Sequence, residues 1–407
     1  MCALFLAAID SGRAQTNTTP KTTTKTNAIT STLNDSQNKP MNNQEPKGEG
    51  LRQLFANVFA RWDSNHDGRL TLPEVIAVME NPRTTTDEAA AAMVVQHSLD
   101  IKHGDNPAKS LSLADVLALG SSPESEKSFE RIRTHMGSIN HELFLPAEPN
   151  IDEIHQGPVG DCYLLSPIAA LVNCNPQAVR SMIRPSGDGY DVAFGNGTTI
   201  HVRLTEADLI LPGLRKKSGH GIWLSVLQKA YFHIKGEQAQ AKHGSEFVDE
   251  MTEGEILGGG SSAAVISLLT GHQFHNLNTR PQIGESAMQA TARVSAMLTR
   301  LTDAKKVMTT SAGQAGEVLP AHIPRGHIHA VLGYDPVSRV VHVFNPWGNN
   351  VTPDGPPGLV NGYVIRDGHF DVPVDEFVRI FGGVGYETDQ QAMPRGAKHA
   401  KKDKKQK

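Results

Sequence analysis

The chain has 407 residues, with 39 Lys and Arg against 43 Asp and Glu and a formal net charge of −4; such a balance offers no concentrated basic face for nucleic acid. With 20% charged and 38% apolar residues it has the composition of a soluble globular protein of two to three domains. Three cysteines, Cys2, Cys162 and Cys174, are too few for a disulfide framework, and no stretch reaches the roughly 18 apolar residues of a membrane span.

The opening "MCALFLAAI" is a short apolar run without preceding basic residues. It reads either as the remnant of an export signal or as an ordinary disordered terminus, and the first reading tips the expected location towards secretion or the cell envelope. Thr, Asn, Gln, Lys and Pro dominate up to Gly50, so residues 1–50 cannot bury enough apolar surface to offset the entropy of ordering.

Helical periodicity begins with Leu51, Leu54, Phe55, Val58 and Phe59 and runs into "DSNHDGRLTLPE", Asp63 to Glu74. Those twelve residues resemble an EF-hand calcium loop. The resemblance implies Ca2+ held by Asp63, Asn65, Asp67, the carbonyl of Arg69, Thr71 through water and the bidentate Glu74, with Gly68 at the tight turn. EF-hands come in pairs, and "KSLSLAD" echoes "GRLTLPE", with Leu111 and Asp115 standing where Leu70 and Glu74 do. The intervening "DIKHGDNPAK" has no alternating carboxylates, so the second hand is expected to be degenerate, empty, and joined to the first by a short β contact. Residues 51–120 form this all-α pair, and 121–142, beginning "SSPESEKS", are expected to be a linker.

"QGPVGDCYLL", Gln156 to Leu165, opens the chemistry. Leu164, Leu165, Ile168, Ala169, Leu171 and Val172 make the apolar stripe of a buried helix, which puts Cys162 at its N-terminus. There the macrodipole and free amides favour a thiolate, the reactive form. Gln156 can turn an amide N–H towards an oxyanion, while Gly157 and Gly160 permit close backbone approach. Cys174, about three turns further on, reads as core. Further along, "HIHAVLGYD" alternates as a strand, so His327 and His329 point to the same side and either could serve a thiol as base.

"QGPVGDCYLLSPIAAL" resembles the cysteine segment of the calpain family of papain-like cysteine proteases. "GIWLSVLQKAYFHIKGE" is similar to the helix closing the family's first lobe, "LGGGSSAAVISLLTG" to the entry of the second, and "GHIHAVLGYD" and "NPWG" to its histidine and asparagine segments. The resemblance covers roughly Leu143 to Glu387. It implies an α+β fold: a two-lobed papain-like core, α lobe 143–240 and β lobe 241–388, preceded by the EF-hand pair and followed by a basic disordered tail, 389–407. The family's spacing to the glycine matching Gly333 selects His327 as the base, with Asn345 orienting it and Trp347 shielding that bond. Three departures stand out: Tyr163 replaces a Trp, Pro167 enters the nucleophile helix, and Gly221 stands where calpain cores commonly carry an acidic calcium ligand. Glu153 does match an acidic position, but one carboxylate makes a poor calcium site, so the N-terminal loop is the expected calcium site.

The expected function is a cysteine endopeptidase acting on protein or peptide substrates through Cys162, His327, Asn345 and Gln156. Two other readings are an acyl transferase on the same triad, which the scaffold also accommodates, and a calcium-binding interaction module with a silent site.

Overall fold

The computed structural model describes residues 50–100, 110–157, 159–210, 220–243, 258–313 and 318–392. The expected N-terminal disordered segment, the second loop at 101–109 and the basic tail beyond 392 lie outside the described residues.

The first helices fold about the apolar stripe that their sequence carries. Helix α1 (Gly50–Trp62) buries Leu51, Phe55, Val58, Phe59 and Trp62 along one face. After the 63–68 loop come strand β1 (Arg69–Thr71) and helix α2 (Leu72–Glu80), whose start is fixed by a capping box between Thr71 and Glu74. Helix α3 (Thr86–Asp100), strand β2 (Ser110–Ser112) and helix α4 (Leu113–Gly120) follow. The strands β1 and β2 pair antiparallel, with Leu70 opposite Leu111.

The segment expected as a linker is instead helix α5 (Pro123–Gly137), started by the Ser122 cap and Pro123. Its Phe129, Ile132 and Met136, spaced three and four apart, are buried with α1 and α3 in one apolar cluster, and Glu126 accepts the Leu51 N–H at 3.3 Å. The Ser/Glu-rich composition that suggested a flexible tether belongs to the outer face of an amphipathic helix.

The core begins with helix α6 (Cys162–Cys174), buried almost all round, followed by helix α7 (Pro176–Met182) and a three-stranded antiparallel sheet of β3 (Ile183–Ser186), β4 (Gly189–Ala193) and β5 (Thr199–Val202). Helix α8 (Trp223–His243) closes this lobe. In the second lobe, helix α9 (Ser262–Thr270) precedes strand β6 (His272–Asn278). Gly271 caps α9 at φ 74°, and a side chain there would meet the Gly195 carbonyl at 2.3 Å, so only glycine lets the two loops touch. Helix α10 (Ala287–Asp303), strands β7 (Met308–Ala312), β8 (Ile328–Asp335), β9 (Val340–Phe344) and β10 (His369–Pro373), helix α11 (Val374–Ile380) and strand β11 (Phe381–Gln391) complete it.

The six strands order as β10-β9-β8-β7-β11-β6, all antiparallel. One face carries its own core of Val331, Val343, Phe377 and Phe381; the other sends Ala330 and Phe344 into the apolar cluster built on α6. Two hydrogen bonds tie α6 to β8: Ser166 Oγ donates to the Ile328 carbonyl and Asn173 Nδ2 to the Leu332 carbonyl, both at 2.8 Å. The helical unit also touches the core, through Thr86 Oγ1 donating to Glu206 Oε2 at 2.9 Å and through Ile210, which joins the helical cluster. Ile139 packs against both clusters. Among the described residues, no helix is long and apolar enough to cross a membrane.

Candidate active site

Cys162 is the first residue of α6, capped by Asp161, whose carbonyl accepts the N–H groups of Leu164 and Leu165. Its half-buried thiol lies at the backbone N–H of Ile328, directly after His327, so the helix start and the strand start meet. The helix terminus was expected to favour a thiolate. Here burial pushes the thiol up, and the neighbouring Asp161 carboxylate pushes the same way, while the Ile328 amide only partly opposes them. At neutral pH the Cys162 thiol therefore keeps its proton.

Of the two strand histidines, His327 is the one that meets Asn345. Its Nε2 lies 2.8 Å from Asn345 Oδ1, and that oxygen also accepts the Trp347 N–H at 3.0 Å. The backbone donor at Trp347 fixes which end of the Asn345 amide is oxygen. The imidazole must then donate from Nε2, leaving Nδ1 as the basic lone pair. Asn345 is itself held by its N–H to the Gly368 carbonyl at 2.8 Å, just past β9. The Trp347 ring sits 4.5 Å from the imidazole and is 39% exposed, a lid between the Asn345 bond and solvent. Burial holds His327 down to about 4, so the pair at rest is neutral thiol and neutral imidazole.

His329 points to the same side of β8 but is wholly buried. It packs edge-on against His327, Phe370 and Phe381, and its ring nitrogens have no hydrogen-bond partner among the described residues. Burial first, then the neighbouring His327, holds it well below the ordinary histidine value. It forms a wall behind the His327 ring.

Gln156 is pinned beside the asparagine segment by its N–H to the Pro346 carbonyl at 2.6 Å. Its side-chain Nε2 donates one hydrogen to the Val159 carbonyl at 2.5 Å, which leaves the other for an oxyanion. Cys174 is a half-buried free thiol whose Sγ meets the Lys306 carbonyl at 3.4 Å, as expected of a core position.

Sequence reasoning passed over Asp161. Its side chain is fully buried, Gln228 Nε2 on α8 donates to its Oδ2 at 2.8 Å, and Oδ1 has no partner among the described residues. Burial raises this carboxyl to about 7. Its place beside Cys162 was visible in the sequence, but its burial depends on α8, 67 residues away.

Also missed were Glu148 and His220. The Gly221 N–H donates to Glu148 Oε1 at 2.8 Å, and a side chain at 221 would lie 2.5 Å from Glu148 Oε2, so Glu148 fills the space that Gly221 leaves. Glu148, Glu153 and His220 bring their ligand atoms within 4.8 Å of one another. A second carboxylate thus stands beside Glu153 after all, from just upstream in the same segment, with His220 brought in from far along the chain. Even so, the set does not fit calcium. One donor is an imidazole nitrogen, and the carboxylates already accept from Leu145 N, Gly221 N, Asn150 N and Trp223 Nε1, whereas calcium takes six to eight oxygens.

The loop from Asp63 to Glu74 turns its acceptors inward. Asp63 Oδ2 accepts the Gly68 N–H at 2.8 Å, Asn65 Oδ1 the Asp67 N–H at 2.9 Å and Asp67 Oδ1 the Arg69 N–H at 2.8 Å. Glu74 spans the ring, with one carboxylate oxygen on Ser64 and Asn65 N–H and the other on Thr71. Gly68 takes φ 80°, the turn that glycine favours.

A thiol at a helix start in one lobe, meeting the backbone next to an asparagine-bound histidine at the start of a sheet strand in the other, is an arrangement consistent with a thiol protease. Residues 105–355 match the family described as "Calpain family cysteine protease", and the chain belongs to that family. It is similar to calpain-8 of Rattus norvegicus, 24% identical over 215 residues, covering 48% of this chain and 28% of that protein. It is also similar to calpain-9 of Homo sapiens, 26% identical over 229 residues, covering 51% of this chain and 30% of the relative. Calpain-9 of Rattus norvegicus is 27% identical over 229 residues with the same coverage. The match therefore spans less than a third of the length of these relatives.

Proposed function

We propose that this chain is a cysteine endopeptidase in which Cys162 is the nucleophile, His327 the base and Asn345 its orienting partner. The observation that carries this reading is the His327 Nε2 to Asn345 Oδ1 bond at 2.8 Å, which leaves Nδ1 as the basic nitrogen of a residue next to the Ile328 N–H that meets the Cys162 thiol. As the thiol attacks a peptide carbonyl its proton passes to His327 Nδ1, and the new C–S bond forms as the carbonyl π pair moves to oxygen. The free Gln156 amide hydrogen and the Cys162 backbone N–H receive that oxyanion. When the tetrahedral intermediate collapses the C–N bond breaks, and the imidazolium gives its proton to the leaving amine. Water, deprotonated by His327, then releases the acid and restores the thiol. A neutral starting pair suits this sequence, because the imidazole is unprotonated and able to accept a proton throughout the neutral range.

Calcium belongs, in the same reading, to the 63–74 loop. Asp63, Asn65, Asp67, the Arg69 carbonyl and Glu74 would supply the oxygens, the acceptors now satisfied by loop N–H groups turning to the ion. The ion's role there is to order the helical unit, and no catalytic step passes through it.

The test is hydrolysis of an unfolded protein substrate by wild type and by Cys162→Ala, with and without calcium. Cleavage by wild type and none by a folded Cys162→Ala variant is expected. Equal cleavage by both would discard the nucleophile assignment.

A further inference from the structure

We propose that a polar cavity in the floor of the interlobe cleft selects the substrate, and that it takes a neutral amide side chain, Gln or Asn, close to the scissile bond. The proposal rests on the peptidase reading above and names its specificity.

The cavity holds about 260 Å3, and its walls include Ser262, Asn276, Thr309, Ser311, Gly383 and Ile328. Its position follows from the strand pleat. Ile328 pairs with Ser311 across β8 and β7, on the face of the sheet turned towards α6, opposite to that of His329. The backbone of Ile328 is what the Cys162 thiol touches. At the other edge, Gly259 N donates to the Gly160 carbonyl at 3.1 Å, and Ser262 opens α9 three residues later. Through Ile328 and Ser262 the cavity borders on the segments that contact the thiol and the loop before it.

The lining sets the chemistry. Three glycines of β11, Gly382, Gly383 and Gly385, border the space. A side chain at Gly383 would sit 2.9 Å from Asn276 Oδ1 and 3.1 Å from its Nδ2, so glycine there keeps the amide reachable. No charged residue lines the cavity. Hydroxyls of Ser262, Thr309 and Ser311 and the Asn276 amide face it without side-chain partners among the described residues, offering donors and acceptors together. A carboxamide is the side chain that answers both at once. An aliphatic side chain would strip water from these groups and satisfy none, and sites built to hydrogen-bond reject analogues that cannot. A charged side chain would meet no counter-charge.

The experiment digests a complex mixture of unfolded peptides with the full chain in calcium-containing buffer and reads every cut site by mass spectrometry. Gln and Asn should be enriched about tenfold or more at one fixed position within three residues of the cut. Matched peptides differing only in Gln or Leu at that position should differ likewise in kcat/KM. Asn276→Leu with Thr309→Val should turn the preference towards aliphatic side chains, and Asn276→Leu alone, at an exposed position, should move it part of the way. Cleavage with an aliphatic preference, or with no preference, or unchanged in both variants, overturns the pocket and leaves the peptidase standing. No cleavage by wild type at any site overturns the peptidase reading, and the pocket with it.

Discussion

Replacing Asp161 by Asn should stabilise the protein, and by an amount that grows with pH. The carboxyl is fully buried, its ordinary value of 3.8 is raised to about 7 by that burial, and among the described residues its side-chain donor is Gln228. The titratable groups its charge reaches are Cys162 and Tyr163, and it pushes both up. A raised carboxyl binds its proton more tightly folded than unfolded. Its contribution is therefore favourable in full below pH 3.8 and is lost progressively until the pH passes about 7. The shift is some three pH units, and at about 1.4 kcal/mol each the charged form costs on the order of 4 kcal/mol at pH 8, but about 1.6 kcal/mol at pH 5. Asn keeps an acceptor for Gln228 and cannot ionise. The gain in unfolding free energy on Asp161→Asn should thus be about 2 kcal/mol larger at pH 8 than at pH 5, measured by urea denaturation at both. Alkylation of Cys162 by iodoacetamide supplies a second readout: with the neighbouring anion gone, the pH midpoint of the reaction should fall. A stability difference that does not change with pH would refute the reasoning, because it would mean that Asp161 is not held protonated by burial.

Other expectations follow from the same geometry. His327→Ala should lower kcat by about 100-fold or more, the usual loss of a general base, whereas His329→Ala should act mainly on stability, by about 2–4 kcal/mol through the cavity it leaves between Phe370 and Phe381; kinetics and denaturation on both variants check this, and the reverse pattern would make His329 the base. Glu74→Gln should abolish calcium binding in a calorimetric titration of the full chain, since Glu74 carries two of the loop's oxygens; retained affinity would remove the ion from this loop. A truncation beginning at Ser121 should aggregate, because it strips the partners from Phe129, Ile132 and Met136 on α5, while one beginning at Ser138 should stay soluble; light scattering separates the two, and a monodisperse Ser121 fragment would show that α5 does not need its cluster.

What could be read from the chain alone was whatever depends on local pattern. The helical spacing after Cys162 placed the thiol at a helix start, and the alternation of "HIHAVLGYD" put both histidines on one side of a strand; the choice of His327 between them came from the resemblance to the calpain family. Both rest on a period within a dozen residues, and in the structure α6 starts at Cys162 while the two histidine rings lie against each other. Burial and long-range partners were beyond its reach. The helix start argued for a thiolate, yet burial pushes the thiol up. Serines and glutamates at 121–130 argued for a tether, yet the apolar side of that helix completes the α1 and α3 cluster. Gly221 argued for a missing acid, yet Glu148, 73 residues earlier, occupies its space. Local periodicity is written into neighbouring residues, whereas charge state and ligand sets depend on which distant side chains exclude water, and only the packed lobes decide that.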